Sequence, residues 1–376
     1  MKATPYISFE DISREIIELG GKGIYKCYQC GSCTATCAIA EGMFISFRRV
    51  IKYAQLGLLD KLQKDLVPWL CNVHGDCIAA CPRDANPCEI LAALRRYQST
   101  LYDWTGLSRW WYYSSLKKKL LTIIILSAIS IVGLLALFYS TIMNYLSMNI
   151  FVNIPGLLPI GIPVVLFSIG LLISNGYRMY KFIGGGKDYI VSFFDAFKRV
   201  LSFWIKSENE ALRIPDKRIR ILEHMLILAG IILYIFLALL YLVYPPAYSS
   251  YPFNYVLMIS RYVAALFLVI GAGLPFVKRL SRSPKIHWYY KLFRHSTDWV
   301  GLGFVFAIGL TGLLMNIFND LHIYSISYVL YILHIGIVFP FLILEVPFGK
   351  HNHWLYKSIA NYVSARRGLI RGEVLE

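Results

Sequence analysis

Residues 120–143 read LLTIIILSAISIVGLLALFYSTIM, 24 positions without a charged side chain. A helix of about 20 apolar residues crosses the roughly 30 Å of bilayer hydrocarbon, where no water satisfies backbone N–H and C=O groups. The stretch therefore reads as a membrane span. Five more of the same character follow, at 157–177, 221–244, 255–276, 299–318 and 325–347. With 57% hydrophobic, 15% aromatic and only 16% charged residues in 376, the composition is too apolar for an ordinary soluble protein.

On one side of that first span stand Lys117, Lys118 and Lys119; on the other, 144–156 contains no Lys or Arg. The alternation continues without exception. The connections 245–254 and 319–324 also lack them, whereas 178–220, 277–298 and the tail from Lys350 are rich in them. Basic loops stay on the cytoplasmic side, so the sequence predicts a multi-pass protein of the cell membrane with both termini cytoplasmic. The formal charge of +16 is accounted for by these flanks, and no nucleic acid partner is expected. Within 178–220, the stretch 189–205 places Ile190, Phe193, Phe194, Phe197, Val200, Leu201 and Trp204 at helical spacing, which predicts an amphipathic helix at the membrane surface. The run GGGK from Gly184 to Lys187 lacks the spacing of a phosphate-binding loop.

All eight cysteines lie between Cys27 and Cys88, which divides the chain into a cysteine domain, 1–105, and a membrane domain, 106–376. Residues 1–15 show no apolar run of the secretory kind, so the thiols are expected on the reducing side, where metal ligation prevails over disulfides. Cys27, Cys30, Cys33 and Cys37 form C-x2-C-x2-C-x3-C, the run of ferredoxins with two [4Fe–4S] clusters. Its fourth cysteine serves the neighbouring cluster, so a second run is required. That run is Cys71, His74, Cys77, Cys81, Pro82, with histidine at the second position.

Crosswise ligation predicts Cys27, Cys30, Cys33 and Cys81 on one cluster, and Cys71, Cys77 and Cys37 on the other. For the remaining ligand three readings stand: the imidazole of His74, the thiolate of Cys88, or no protein ligand at all. Structural zinc is the competing reading of the whole domain, although two such runs supply more ligands than one tetrahedron takes. Between them, 44–70 has helical periodicity interrupted at Gly57.

A b-type haem in a helix bundle needs two axial ligands on facing helices. His224 lies one turn inside the third span and His334 near the middle of the sixth, depths at which an ionisable group is functional by default, the alternative being a hydrogen-bonded helix contact. His353 follows His334 by 19 residues, roughly 28 Å if the helix continues. His287, His295, His322 and His351 fall in connections or at span ends, where solvated or interfacial roles are expected. Arg261, nearly two turns inside the outer end of the fourth span, either meets a quinone carbonyl or haem propionate or snorkels to the interface.

The stretches YKCYQCGSCTATC (25–37), WLCNVHGDCIAACPRDANP (69–87) and YILHIGIVFPFLILEVPFGKHNHWLYKSIA (331–360) together resemble the family of C-type membrane subunits of quinone-interacting membrane-bound oxidoreductases. That family is similar to a fusion of two heterodisulfide reductase components, the iron–sulfur C subunit and the cytochrome b-type E subunit, and its membrane part to the gamma subunit of respiratory nitrate reductase. The resemblance runs from about Lys26 to Ala365. It implies electron exchange between menaquinone and cytoplasmic flavin and iron–sulfur subunits, linked in sulfate reducers to adenylylsulfate reductase. It also implies haem ligation by His224, His334 and His353.

Two departures stand out. His74 replaces a family cysteine, and Tyr234 occupies the place of a histidine ten residues after His224. One haem, between His224 and either His334 or His353, is therefore expected ahead of two, and the pair His224–His353 is favoured as nearest the clusters.

The expectation is thus an all-α membrane protein: a six-helix transmembrane bundle with an N-terminal α-helical two-cluster ferredoxin-like domain, acting as the electron-transfer subunit of an oxidoreductase complex. No flavin or nucleotide motif is present, so the terminal substrate belongs to another polypeptide. A membrane component of the heterodisulfide reductase type and a non-redox zinc-bearing scaffold are the rival readings.

Overall fold

The computed structural model describes residues 9–43, 45–148, 158–212, 215–243, 253–281 and 295–370. Among these the protein is helical, without a strand and with one isolated bridge between Met43 and Ile370. Leu157, Tyr244, Phe44 and His287 lie outside the described residues, as does the side chain of Trp204.

The cysteine region is framed by α1 (Phe9–Glu18), α2 (Phe47–Gln55) and α3 (Pro87–Tyr102). The periodic stretch 44–70 is not one helix: Gly57 takes a left-handed φ of 66°, and short turns at Leu59–Leu62 and Val67–Leu70 follow α2. Only a residue without a Cβ adopts that conformation cheaply, which is why the helix ends there.

Six helices are long and apolar enough to cross a membrane. They are α4 (Leu116–Ser147), α5 (Leu158–Phe182), α7 (Pro215–Val243), α8 (Phe253–Leu280), α9 (Ser296–Asp320) and α10 (Tyr324–Pro340), the last continuing through a wide turn to Phe348. Helix α6 (Phe193–Leu212) is the amphipathic segment, starting at Phe193 rather than at 189. It buries Ala196 and leaves Phe193, Phe194, Phe197 and Leu201 exposed. The spans likewise expose Ile, Leu and Val along their lengths, a surface suited to lipid rather than water.

Helix α7 packs on α8, α8 on α9, α9 on α10, and α10 on α4, while α5 lies against the end of the sixth span. Small residues set the spacing, as is usual where lipid gives no hydrophobic drive to association. A Cβ at Gly271 would stand 2.9 Å from the Glu223 carbonyl oxygen, and one at Gly230 would stand 2.8 Å from a Leu268 methyl, so α7 and α8 touch backbone to backbone.

The sixth span does not continue straight to His353. After Pro340 the chain widens into a π-turn at Phe341–Glu345, Pro347 follows, Gly349 is extended, and a 3-10 turn at Lys350–Asn352 leads into α11 (His353–Arg366). Proline removes a backbone donor and its ring crowds the preceding turn, so the helix yields at these positions. The straight-helix separation of His334 and His353 therefore does not hold, and His353 opens a new helix.

That new helix returns to the cysteine region. Tyr356, Ala360 and Val363 of α11 share one buried core with Ile12 and Ile16 of α1, Val50 and Ile51 of α2, and Leu91 and Leu94 of α3. Trp69 and Tyr102 meet the ring of Tyr356 edge-on at 5.1 and 5.7 Å. The cysteine region thus packs directly on the end of the membrane bundle.

Candidate metal centres

The two cysteine loops are built alike. In the first, Gln29 and Gly31 take φ of 68° and 89° and a single helical turn, Ser32–Ala35, follows. In the second, Val73 and Gly75 take 59° and 90° before the turn Asp76–Ala79. Each feature recurs 44 residues later, so His74 stands at the place of Cys30. Two left-handed residues in close succession bend the chain around a centre, and the helical turn then presents its cysteine, Cys33 or Cys77, back toward it.

One cavity is lined by Cys27, Cys30, Cys33 and Cys81. A second is lined by Cys37, Cys71, Cys77, His74 and Cys88, with Cys33 on the wall between them. The structure therefore gathers the thiols in the crosswise grouping, with the last cysteine of each run at the other run's cavity. Donors point at the sulfurs: the Ala85 and Val73 amides lie 3.3 Å from Cys81 Sγ and Cys71 Sγ, and the Gln29 amide lies 3.7 Å from Cys27 Sγ. Such bonds favour thiolate and tune the metal it holds.

Burial, with neighbouring sulfurs adding to it, pushes the Cys33 thiol up to about 11 and the Cys37 thiol up to about 12. A cationic iron core offsets that cost. Among the described residues no three His, Cys, Asp or Glu side chains converge on a point suited to one metal ion. The thiols ring two cavities instead, which suits a polynuclear cluster better than zinc.

At the end of the bundle nearest these loops the structure brings His224 of α7 within electrostatic reach of His353 and His351. His353 Nδ1 lies 2.7 Å from the Lys350 carbonyl oxygen. A carbonyl only accepts, so Nδ1 carries the hydrogen and Nε2 keeps its lone pair, the state of an imidazole that binds metal. Burial, reinforced by His351, His224 and Lys350, holds the His353 ring well below its usual pKa and so neutral. His351, expected to be solvated, instead stands 3.4 Å from Glu345 and edge-on to Phe341.

His334 belongs to another layer. Its Nδ1 lies 2.9 Å from Thr311 Oγ1, which itself donates to the Ala307 carbonyl at 2.7 Å, so Nδ1–H is the donor here too. The ring sits against Gly312, and so does the Tyr234 hydroxyl. Tyr234 is ten residues along α7 from His224, roughly 15 Å. Arg261 lies within electrostatic reach of Tyr234, and neither the Tyr234 hydroxyl nor Arg261 Nε has a hydrogen-bond partner among the described residues. His334 is thus brought to Tyr234 and Arg261. His295 caps α9, and His322 bonds the Tyr324 hydroxyl at 2.7 Å.

The second cysteine loop docks beside His224 and His353. Arg220 of α7 donates to the Val73 carbonyl at 2.8 Å, and Lys357 of α11 donates to Asn72 at 2.5 Å. The first loop points away, with Tyr25, Tyr28 and Cys30 exposed.

Sequence reasoning missed a buried ionic knot at this junction. Asp298 receives Arg96 of α3 at 2.7 Å and Lys350 at 2.9 Å. Glu345, fully buried in the π-turn, accepts from Trp111 Nε1 at 3.0 Å and from the Lys350 amide at 2.8 Å. The available signal was Glu345 inside an otherwise apolar span, with Asp298 at the edge of another.

Comparison with known proteins agrees with this geometry at the N-terminal end. Residues 23–85 match a family described as a 4Fe-4S dicluster domain. A protein of Archaeoglobus profundus, described as like the C subunit of heterodisulfide reductase, is 36% identical over 92 residues, 24% of this chain and 49% of that protein. The iron-sulfur C 2 subunit of the CoB--CoM heterodisulfide reductase of Methanocaldococcus jannaschii is 37% identical over 89 residues, 22% of this chain and 47% of that protein. The C subunit of the H(2):CoB-CoM heterodisulfide,ferredoxin reductase of Methanothermobacter thermautotrophicus is 29% identical over 86 residues, 23% and 46% of the two chains. The chain spans about half the length of these relatives, and no solved structure matches it. The N-terminal region is therefore similar to the C subunits of heterodisulfide reductases and carries a 4Fe-4S dicluster domain, joined here to six helices apolar enough to cross a membrane.

Proposed function

We propose that this chain is the membrane electron-transfer subunit of a quinone-linked oxidoreductase, exchanging electrons between menaquinone and cytoplasmic flavin and iron–sulfur subunits. The observation that carries the reading is the docking of the second cysteine loop, through Asn72 and Val73, on the helices that bear His224 and His353. Residues 1–105 form the iron–sulfur domain and 106–376 the cytochrome b-type domain, with both termini cytoplasmic.

Iron held at these sites supplies one-electron transfer. Cys27, Cys30, Cys33 and Cys81 would hold the outer [4Fe–4S] cluster, and Cys37, Cys71 and Cys77 would serve the inner one. His224 and His353 would hold haem b, which would supply a one-electron carrier within the bundle. Arg220 and Lys357 keep the inner loop against that pair, so the order is quinone, haem site, inner loop, outer loop, partner protein. The exposed rim at Tyr25, Tyr28 and Cys30 is where the partner takes up or delivers electrons.

The layer of Tyr234, Arg261 and His334 suits a quinone head group. Its two carbonyls accept hydrogen bonds, and the buried Tyr234 hydroxyl and Arg261 Nε offer donors. In this reading His334 serves the quinone, and Tyr234 stands where a second haem through His334 would need an imidazole.

The resemblance to the quinone-interacting family points to adenylylsulfate reductase as the end partner. Likeness of residues 23–85 to heterodisulfide reductase components favours a second reading, the same relay serving a disulfide-reducing partner. Purification of the complex from native membranes, with identification of its polypeptides, separates the two.

The relay itself is tested by adding menaquinol to those membranes. Haem absorbance should appear on reduction, be lost in His353→Ala and His224→Ala, and persist in His334→Ala. Haem that stays oxidised with every quinol sinks the relay, and haem lost only in His334→Ala reassigns the ligands.

A further inference from the structure

The repeat that relates the two loops leaves the inner cavity one thiolate short, because His74 stands where the outer loop has Cys30. We infer that Cys88 supplies the missing ligand, so that Cys37, Cys71, Cys77 and Cys88 hold the inner cluster and His74 does not. This rests on the reading that the loops hold two [4Fe–4S] clusters, and goes beyond the matched dicluster region, which ends at residue 85.

Position is the first argument. Cys88 is fully buried where His74 is half-buried, and both line the inner cavity together with Cys37, Cys71 and Cys77. Buried cysteines are common as small apolar fillers. Cys88 packs on Ala92 of its own helix and on Val73, Cys77 and Ile78 of the ligand loop, so its thiol meets the loop as well as hydrocarbon. Cys37, Cys71, Cys77 and Cys88 around one cavity match the ligand count of a cubane cluster, which a packing role does not call for.

The element that carries Cys88 is the second argument. It occupies the first turn of α3, a 16-residue helix whose N-cap Asn86 is held at a left-handed φ of 51°. The Asn86 side chain caps the Glu89 amide there, which fixes the turn that carries Cys88 at the cavity wall. Helix α3 is also fastened to the inner loop a second time, since the Arg95 guanidinium donates to the Pro68 and Cys71 carbonyls. The loop and the helix start are thus fixed relative to each other from both sides.

Chemistry gives the consequence. Imidazole in place of thiolate raises a cluster's potential. With Cys88 as ligand both clusters are all-thiolate, and the inner one keeps the lower potential of that set despite the histidine in its loop. The ligand also ties the cluster to the membrane, because Arg96, eight positions along the same helix and roughly 12 Å away, is bound to Asp298.

The test is made on the full-length chain purified without air, by counting non-haem iron and acid-labile sulfide and recording the paramagnetic spectrum after reduction. Cys88→Ala should lose about half the iron, or leave a three-iron signal, while the outer cluster's signal remains. His74→Ala should keep all the iron and an unaltered spectrum. To guard against simple misfolding, the double variant His74→Cys with Cys88→Ala places a thiol at the repeat position and should regain the iron. Full iron in Cys88→Ala, or loss of the inner cluster in His74→Ala, overturns the assignment. Wild-type protein without iron–sulfur signals would instead overturn the two-cluster reading on which it rests.

Discussion

A single hydroxyl shows what a residue contributes here beyond its apolar bulk. Tyr234 buries its phenol oxygen beside His334 and Arg261 with no hydrogen-bond partner among the described residues. Such an atom costs about 1–3 kcal/mol in the resting protein, and a substrate carbonyl that accepts from it recovers that loss. Tyr234→Phe should therefore leave thermal stability unchanged or higher and keep the haem spectrum, yet raise KM for menaquinol about tenfold, the equivalent of ~1.4 kcal/mol. Steady-state oxidation of quinol analogues by the purified complex measures it, and an unchanged KM removes Tyr234 from the quinone site. In the sequence Tyr234 is visible only as a place where the resembling family has histidine. Its company follows from helix packing, which no local pattern records.

The junction between α10 and α11 decides where His353 stands. A Cβ on Gly349 would run into the Glu345 carboxylate, which is already bonded to Trp111 and to the Lys350 amide. Gly349→Ala must displace that carboxylate or the turn itself, and with it the start of α11. The expected result is a shifted or split haem band and lower haem occupancy, with the iron–sulfur signals unaltered; a wild-type haem spectrum would show that the turn does not set the ligand. Elements of this kind mark the limit of sequence reading. The six spans were legible because 20 apolar residues in a row have few alternatives, and the cluster loops because their spacing is local. The kink after Pro340 was not. Proline in a span is tolerated in many geometries, and the chosen one depends on Trp111 and Gly301, far away in sequence.

For the whole molecule, the contact between cluster domain and bundle has a polar pin inside an apolar seam. Tyr356 supplies the apolar part: buried between Trp69 and Tyr102, it should cost roughly 3–5 kcal/mol when truncated to alanine, read as a lower unfolding temperature in detergent. Asp298 supplies the pin, joining Arg96 of the cluster domain to Lys350 beside the histidines. Both Arg96 and Asp298 are almost wholly buried, so Asp298→Asn strands a guanidinium without its counter-charge. Removing one partner of such a pair costs about 3–5 kcal/mol. Because α9 and α10 still pack on α8 and α4, the bundle itself keeps its helices, and the strain falls on the junction. Quinol should then reduce the haem at the wild-type rate, while delivery onward to the clusters slows by an order of magnitude or more, since α3, which holds the inner loop through Arg95, loses its Arg96 anchor on the bundle. Stopped-flow spectra that follow haem and iron–sulfur absorbance separately distinguish the two steps. Equal slowing of both, or of neither, would mean that Asp298 does not govern how the cluster domain is seated on the membrane.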